Sequence, residues 1–86
     1  MFVKCVESID DGDCECGPIE TFEVIECDRV SRESGYVRCW IEEEGGFKQT
    51  SVFRSIEKKP EDHDPRVKIV YIMSDSGKTI DSVRLN

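Results

Sequence analysis

The chain contains no alanine and a single leucine, Leu85, among its 86 residues. These two residue types form helices at least cost, so without them the ordinary means of building a helix is missing. In their place stand nine valines, eight isoleucines and seven aromatic residues. Branched and planar side chains suit a pleated, half-buried surface. An all-β or strongly β-rich fold is expected.

Leu, Ile, Val and Phe make up 22 of the 86 residues, above the level at which disorder becomes the default. A chain of this length supports one modest core, so residues 1–86 are read as a single domain. The longest apolar run, Ile69 to Met73, has five residues, far short of the roughly 20 that a helix needs to cross a bilayer. No membrane partner is expected. The N-terminal residues lack the apolar stretch of a secretory signal, and a cytoplasmic location is expected.

Alternation of period two places the strands. Residues 2–9 alternate Val3, Cys5 and Ile9 with Phe2, Lys4, Val6 and Ser8, then run into the loop Asp10-Asp11-Gly12-Asp13. Past Pro18, residues 19–30 read as one long strand, with Phe22 and Val24 on one face and Ile25 and Cys27 on the other. Turn formers at 31–35 precede the clearest strand, 36–43, and Glu44-Gly45-Gly46 hinges a hairpin that returns from Phe47. Pairing Glu42 with Phe47 sets Val37 opposite Val52 and Tyr36 opposite Phe53, apolar against apolar. Val52, Phe53 and Ile56 are spaced for one short helix near 51–59, and the polar segment 57–65 with its two prolines reads as an exposed connection. Strands 66–74 and 79–85 close a hairpin over Asp75-Ser76-Gly77, with Gly77 in the left-handed position of a G1 bulge. About six strands in a single antiparallel meander are expected to curl into a barrel or a sandwich.

The formal charge of −7 is unevenly placed. Residues 1–28 carry Lys4 against nine acids, a net of −8, and the remaining 58 residues carry a net of +1. Phosphate contacts need clustered Lys and Arg, so direct nucleic-acid binding is disfavoured. An acidic surface of this kind suits a protein partner with a basic face, and Asp10, Asp11, Asp13 and Glu15 are the candidate contacts.

Five cysteines is an odd number, which leaves at least one free thiol in a monomer and argues against a secreted disulfide scaffold. Cys5, Cys27 and Cys39 fall inside strands, as small buried hydrophobes. Cys14 and Cys16 are the only weak metal candidates; structural zinc needs a second matched pair, which this sequence lacks. Asp11, Asp13 and Glu15 alternate like the start of a calcium loop, but Cys16 stands where the turn needs Gly and Phe22 where it needs Glu. His63, between Asp62 and Asp64, is the only histidine and has no nucleophile motif near it. Neither metal nor cofactor is expected, and no enzyme activity.

Tyr36, Arg38 and Trp40 share one face of the strand 36–43, with Phe53 expected across the ladder. These residue types dominate interface hot spots. The expected function is therefore that of a non-catalytic acidic binding protein acting through protein–protein contact. Viral and mobile-element inhibitors of host enzymes or defence systems are an analogy of kind for such a molecule. Two alternatives stand beside it: a homo-oligomer whose inter-subunit pockets hold a small ligand between Tyr36, Arg38 and Trp40, and a small metal-binding module built on Cys14 and Cys16.

Overall fold

The computed structural model describes residues 1–9, 19–57 and 66–85. The expected contacts Asp10, Asp11, Asp13 and Glu15, the thiols Cys14 and Cys16, and His63 lie outside the described residues. Seven strands run in chain order: β1 (Phe2–Ile9), β2 (Ile19–Glu26), β3 (Arg29–Glu33), β4 (Tyr36–Glu43), β5 (Gly46–Arg54), β6 (Arg66–Met73) and β7 (Thr79–Arg84). They form two antiparallel sheets, one of four strands in the order β2-β1-β6-β7 and one of three in the order β3-β4-β5. The all-β expectation holds, as a sandwich-like pair of sheets and not a closed barrel.

The connectivity corrects the meander. The long strand expected over 19–30 divides into β2 and β3, because neighbouring amides bond to different sheets. Cys27 N–H donates to the Met1 carbonyl (2.9 Å) and Asp28 N–H donates to the Trp40 carbonyl (2.8 Å). The Asp28 carboxylate then accepts from the Glu42 N–H at 2.7 Å and holds the corner. After three strands in the second sheet the chain returns, and β6 pairs with β1. A second crossing repeats the device, with Ser55 N–H donating to Gly35 and Ile56 N–H to Leu85. Those two bonds also replace the short helix expected near 51–59. Residues 52–54 continue β5, no helix occurs among the described residues, and positions 58 and 59 lie outside them.

The β4–β5 register agrees with expectation near the turn, where Glu42 pairs with Phe47, and departs from it further on. Trp40 pairs with Gln49 but Cys39 pairs with Ser51, so Thr50 is an extra residue, its hydroxyl donating to the Cys39 carbonyl at 3.3 Å. A one-residue slip exchanges the faces of a strand. Phe53 consequently lies opposite Val37 and is buried, and Tyr36 lies opposite Arg54. The β6–β7 turn follows expectation. Gly77 has φ +88° and donates to Ser74, and Ser74 donates to Lys78.

The core is small. Val3, Cys5, Val70 and Leu85 from one sheet meet Val37, Cys39 and Phe53 from the other, with Cys27 at the corner. β3 starts beside the end of β2, and its Arg32 pairs with Asp81 of β7, at the opposite edge of the four-stranded sheet, at 2.5 Å. It therefore runs across the strands of that sheet. Crossed strands of this kind mark an orthogonal packing, with the chain passing between sheets at a corner.

Candidate functional site

In the four-stranded sheet, the rows that face the core turn polar at one end. Val3 and Cys5 lead to Glu7 on β1, Ile25 leads to Glu23 and Thr21 on β2, and Ile72 and Val70 lead to Lys68 on β6. Pairing sets Glu7 opposite both Thr21 and Lys68. The core stops at this level, and a cleft of about 490 Å³ opens between the sheets, with β2 on one side and Ser51, Val52 and Phe53 of β5 on the other.

Three charged groups line the cleft among the described residues: Glu7, Glu23 and Lys68. Lys68 is largely enclosed, its side chain 13% exposed, and its ammonium donates to the Arg54 carbonyl at 2.6 Å and pairs with Glu7 Oε1 at 3.5 Å. Its charge is thus engaged within the chain. Glu23 is exposed on β2, and Glu20 and Glu26 extend the acidic character along the same edge strand. Among the described residues β2 pairs on one side only, which makes it an edge strand of its sheet.

Cys5 lies against the cleft. Burial pushes its thiol up, outweighing the downward pull of Lys68. The thiol is therefore protonated at neutral pH and is a poor nucleophile. Deeper in the core, Cys39 is pushed up to about 12, first by burial and then by its neighbour Cys27. Cys27 is also raised, again by burial first. All three thiols are free. Among the described residues no group of three His, Cys, Asp or Glu side chains is placed to hold a metal ion.

No family model, curated protein or solved structure matches this chain. The functional reading therefore comes from the geometry.

The residues expected to form a docking face are only partly brought together. Tyr36, Arg38 and Trp40 do share the outer face of the three-stranded sheet, each half-buried, while Phe53 joins the core through the bulge at Thr50. Arg38 lies over the Tyr36 ring at 4.9 Å, donates to its hydroxyl at 3.3 Å and pairs with Glu33 at 3.4 Å. A hydrogen bond to Glu33, ahead of burial, raises the Tyr36 phenol above its ordinary value. Tyr36, Arg38 and Glu33 thus satisfy one another. Arg29 similarly covers Phe47 at 5.6 Å. The indole N–H of Trp40 is enclosed and finds no acceptor among the described residues.

Sequence reasoning passed over the outer face of the four-stranded sheet. There Phe22 is 66% and Val24 53% exposed, beside half-buried Val6, Ile69, Tyr71 and Met73. The signal was available in β1 and β6, which are apolar on both faces. The carboxylates of the cleft were equally legible as charges interrupting core-facing rows. Only the pairing of three strands showed that the interruptions coincide.

Proposed function

We propose that the protein is a non-catalytic acidic binding module whose cleft between β2 and β5 takes a basic segment of another protein. The observation that carries this reading is the exposed carboxylate of Glu23 at a cleft whose lysine is already held by Glu7 and the Arg54 carbonyl. A cationic side chain entering there meets negative potential without displacing a built-in cation. As an edge strand, β2 adds a row of backbone donors and acceptors on which an extended segment pairs as a further strand. Glu23, on the cleft face of β2, favours a lysine- or arginine-bearing segment, and Glu20 and Glu26, on its other face, add only to the longer-range field.

The protonated Cys5 supports a binding role over a catalytic one, since the thiol beside the cleft lacks the activation that a nucleophile requires. An acidic rim acts mainly on the rate of encounter, through a field that reaches about 8–10 Å at physiological salt.

The test begins with co-purification from the native host and mass spectrometry to identify the partner. Association kinetics follow at two salt concentrations. The triple variant Glu20→Gln, Glu23→Gln, Glu26→Gln is expected to associate more slowly and with a flatter salt dependence, with little change in dissociation. A second variant, with Asp10, Asp11, Asp13 and Glu15 converted to amides, extends the test to the acidic residues expected from the sequence. Rates and salt slopes in the triple variant equal to those of the parent would overturn the reading.

A further inference from the structure

The outer face of the four-stranded sheet is opposite the row that carries Glu7, Glu23 and Lys68, and it shares only Phe22 with the lining of the cleft. Val6, Phe22, Val24, Ile69, Tyr71 and Met73 lie on it, and a shallow groove of about 290 Å³ runs over Lys4, Val6, Tyr71 and Met73. We infer that this face binds a second copy of the same chain, forming a two-fold dimer through face-to-face packing of the four-stranded sheets.

Charge selects the occupant. The chain as a whole is strongly acidic, yet this face sets Lys4 and Arg84 against Glu20 and Glu26 and has no local excess of either sign. A basic partner gains no steering from a locally neutral surface, whereas two copies that meet there gather no excess of like charge at the contact, and the repulsion between their net charges is screened by salt. Lys4 is placed over the Phe22 ring at 4.9 Å, and Glu20, Glu26 and Arg84 lie on the outer strands β2 and β7. An apolar centre with a charged rim is the ordinary anatomy of a protein interface.

The register makes the face complementary to itself. A two-fold axis along the strands, between β1 and β6, lays β1 of each copy over β6 of the other. Phe2 is level with Met73, Lys4 with Tyr71 and Val6 with Ile69, so each residue of one strand meets its level partner on the second copy. Apolar side chains then meet apolar ones, and the lysine meets an aromatic ring. Three strands of eight residues and one of six, about 4.8 Å apart and rising about 3.3 Å per residue, present roughly 475 Å² per copy. The total, about 950 Å², is in the range of weak, transient interfaces and implies a reversible, concentration-dependent dimer.

Sedimentation equilibrium of the reduced protein over a concentration series tests this. The parent is expected to pass from monomer to dimer. Val24→Lys should weaken the dimer by more than about tenfold, and Phe22→Ser should weaken it in the same direction. Both positions are on an edge strand and more than half exposed, so circular dichroism should show the parent fold in each. Phe47→Lys, on the other sheet, should leave the dimer intact. A parent that is monomeric throughout the series overturns the inference. So does a dimer that survives both Val24→Lys and Phe22→Ser, or one abolished by Phe47→Lys alone. Val24→Lys and Phe47→Lys touch neither a carboxylate of β2 nor the lining of the cleft, so on these two variants failure here is distinguishable from failure of the cleft reading, whereas Phe22→Ser alters a residue of both surfaces.

Discussion

Both sheets carry large apolar side chains on their outer faces and handle them differently. On the three-stranded sheet two rings have their own cation, Arg38 over Tyr36 and Arg29 over Phe47, and Glu33 closes the first of these into a network. On the four-stranded sheet Lys4 partly covers Phe22, while Val24, Ile69 and Met73 have aliphatic side chains to which no cation is drawn. A guanidinium held over a ring contributes about 0.5–1 kcal/mol at an exposed site and also shields the ring from other molecules. Residue types enriched at hot spots therefore do not by themselves mark a docking face; a Tyr or Trp whose neighbours already satisfy it is finished surface. On the inside the two sheets are alike, each presenting valine and cysteine to a thin shared core.

The largest effect expected from that likeness is alkaline destabilisation. A thiol whose folded pKa lies above its unfolded value stays protonated in the native state while the unfolded chain ionises. Its contribution is thus full below about pH 9 and is lost as pH rises towards 12, the value to which Cys39 is pushed. The slope approaches ~1.4 kcal/mol per pH unit for each such thiol. Urea unfolding across this range should show it, and Cys39→Ser should flatten the slope. Cys5→Ser, on the other sheet, should flatten it in the same sense. Slopes unchanged in both variants would break the symmetry of the two inner faces.

Next in size are the valines. Val37 and Val70 are fully buried on opposite sheets, and replacing either by alanine should lower stability by roughly 2 kcal/mol, from lost transfer energy plus an unfilled void. Val24→Ala, on the open outer face, should change it by less than about 0.5 kcal/mol in the monomer. Denaturant midpoints at low protein concentration separate the three.

A smaller effect distinguishes the covers. Arg29→Ser should remove about 0.5–1 kcal/mol and raise binding of a hydrophobic dye at Phe47, which Arg29 covers in part. Lys4→Ser should add little dye binding, because Phe22 is already largely exposed. Equal gains in the two variants would remove the distinction drawn between the sheets.

The smallest effect concerns Trp40. Its N–H makes no hydrogen bond among the described residues, so Trp40→Phe should leave stability within about 0.5 kcal/mol of the parent, since no bond is lost. A loss above about 1.5 kcal/mol would point to an acceptor for the indole and to a more completely satisfied outer face on the three-stranded sheet.

Much of this was legible along the chain. The absence of alanine and the presence of a single leucine disfavoured helix as the main element, and alternation located the strands 2–9, 36–43, 66–74 and 79–85 to within a residue or so of β1, β4, β6 and β7. Gly77 announced its turn because few other residues adopt the required φ. These features depend on propensity and on side-chain period, which neighbouring residues determine between them.

Three decisions belong to the tertiary structure. The division of 19–30 at Cys27 and Asp28 depends on which carbonyl each amide reaches, and those carbonyls come from Met1 and Trp40, distant in sequence. The face of Phe53 depends on a single extra residue at Thr50, which no period-two pattern contains and which the demand for a large side chain in a thin core selects. The cleft arises where Glu7, Thr21 and Lys68 fall level, an alignment created by pairing β1 with both β2 and β6. By itself the sequence determined that the chain would form strands and where most of them lie. Which faces are covered, which stay open and where the carboxylates gather were settled by long-range pairing, because hydrogen bonds and burial between distant segments choose among registers that are locally equivalent.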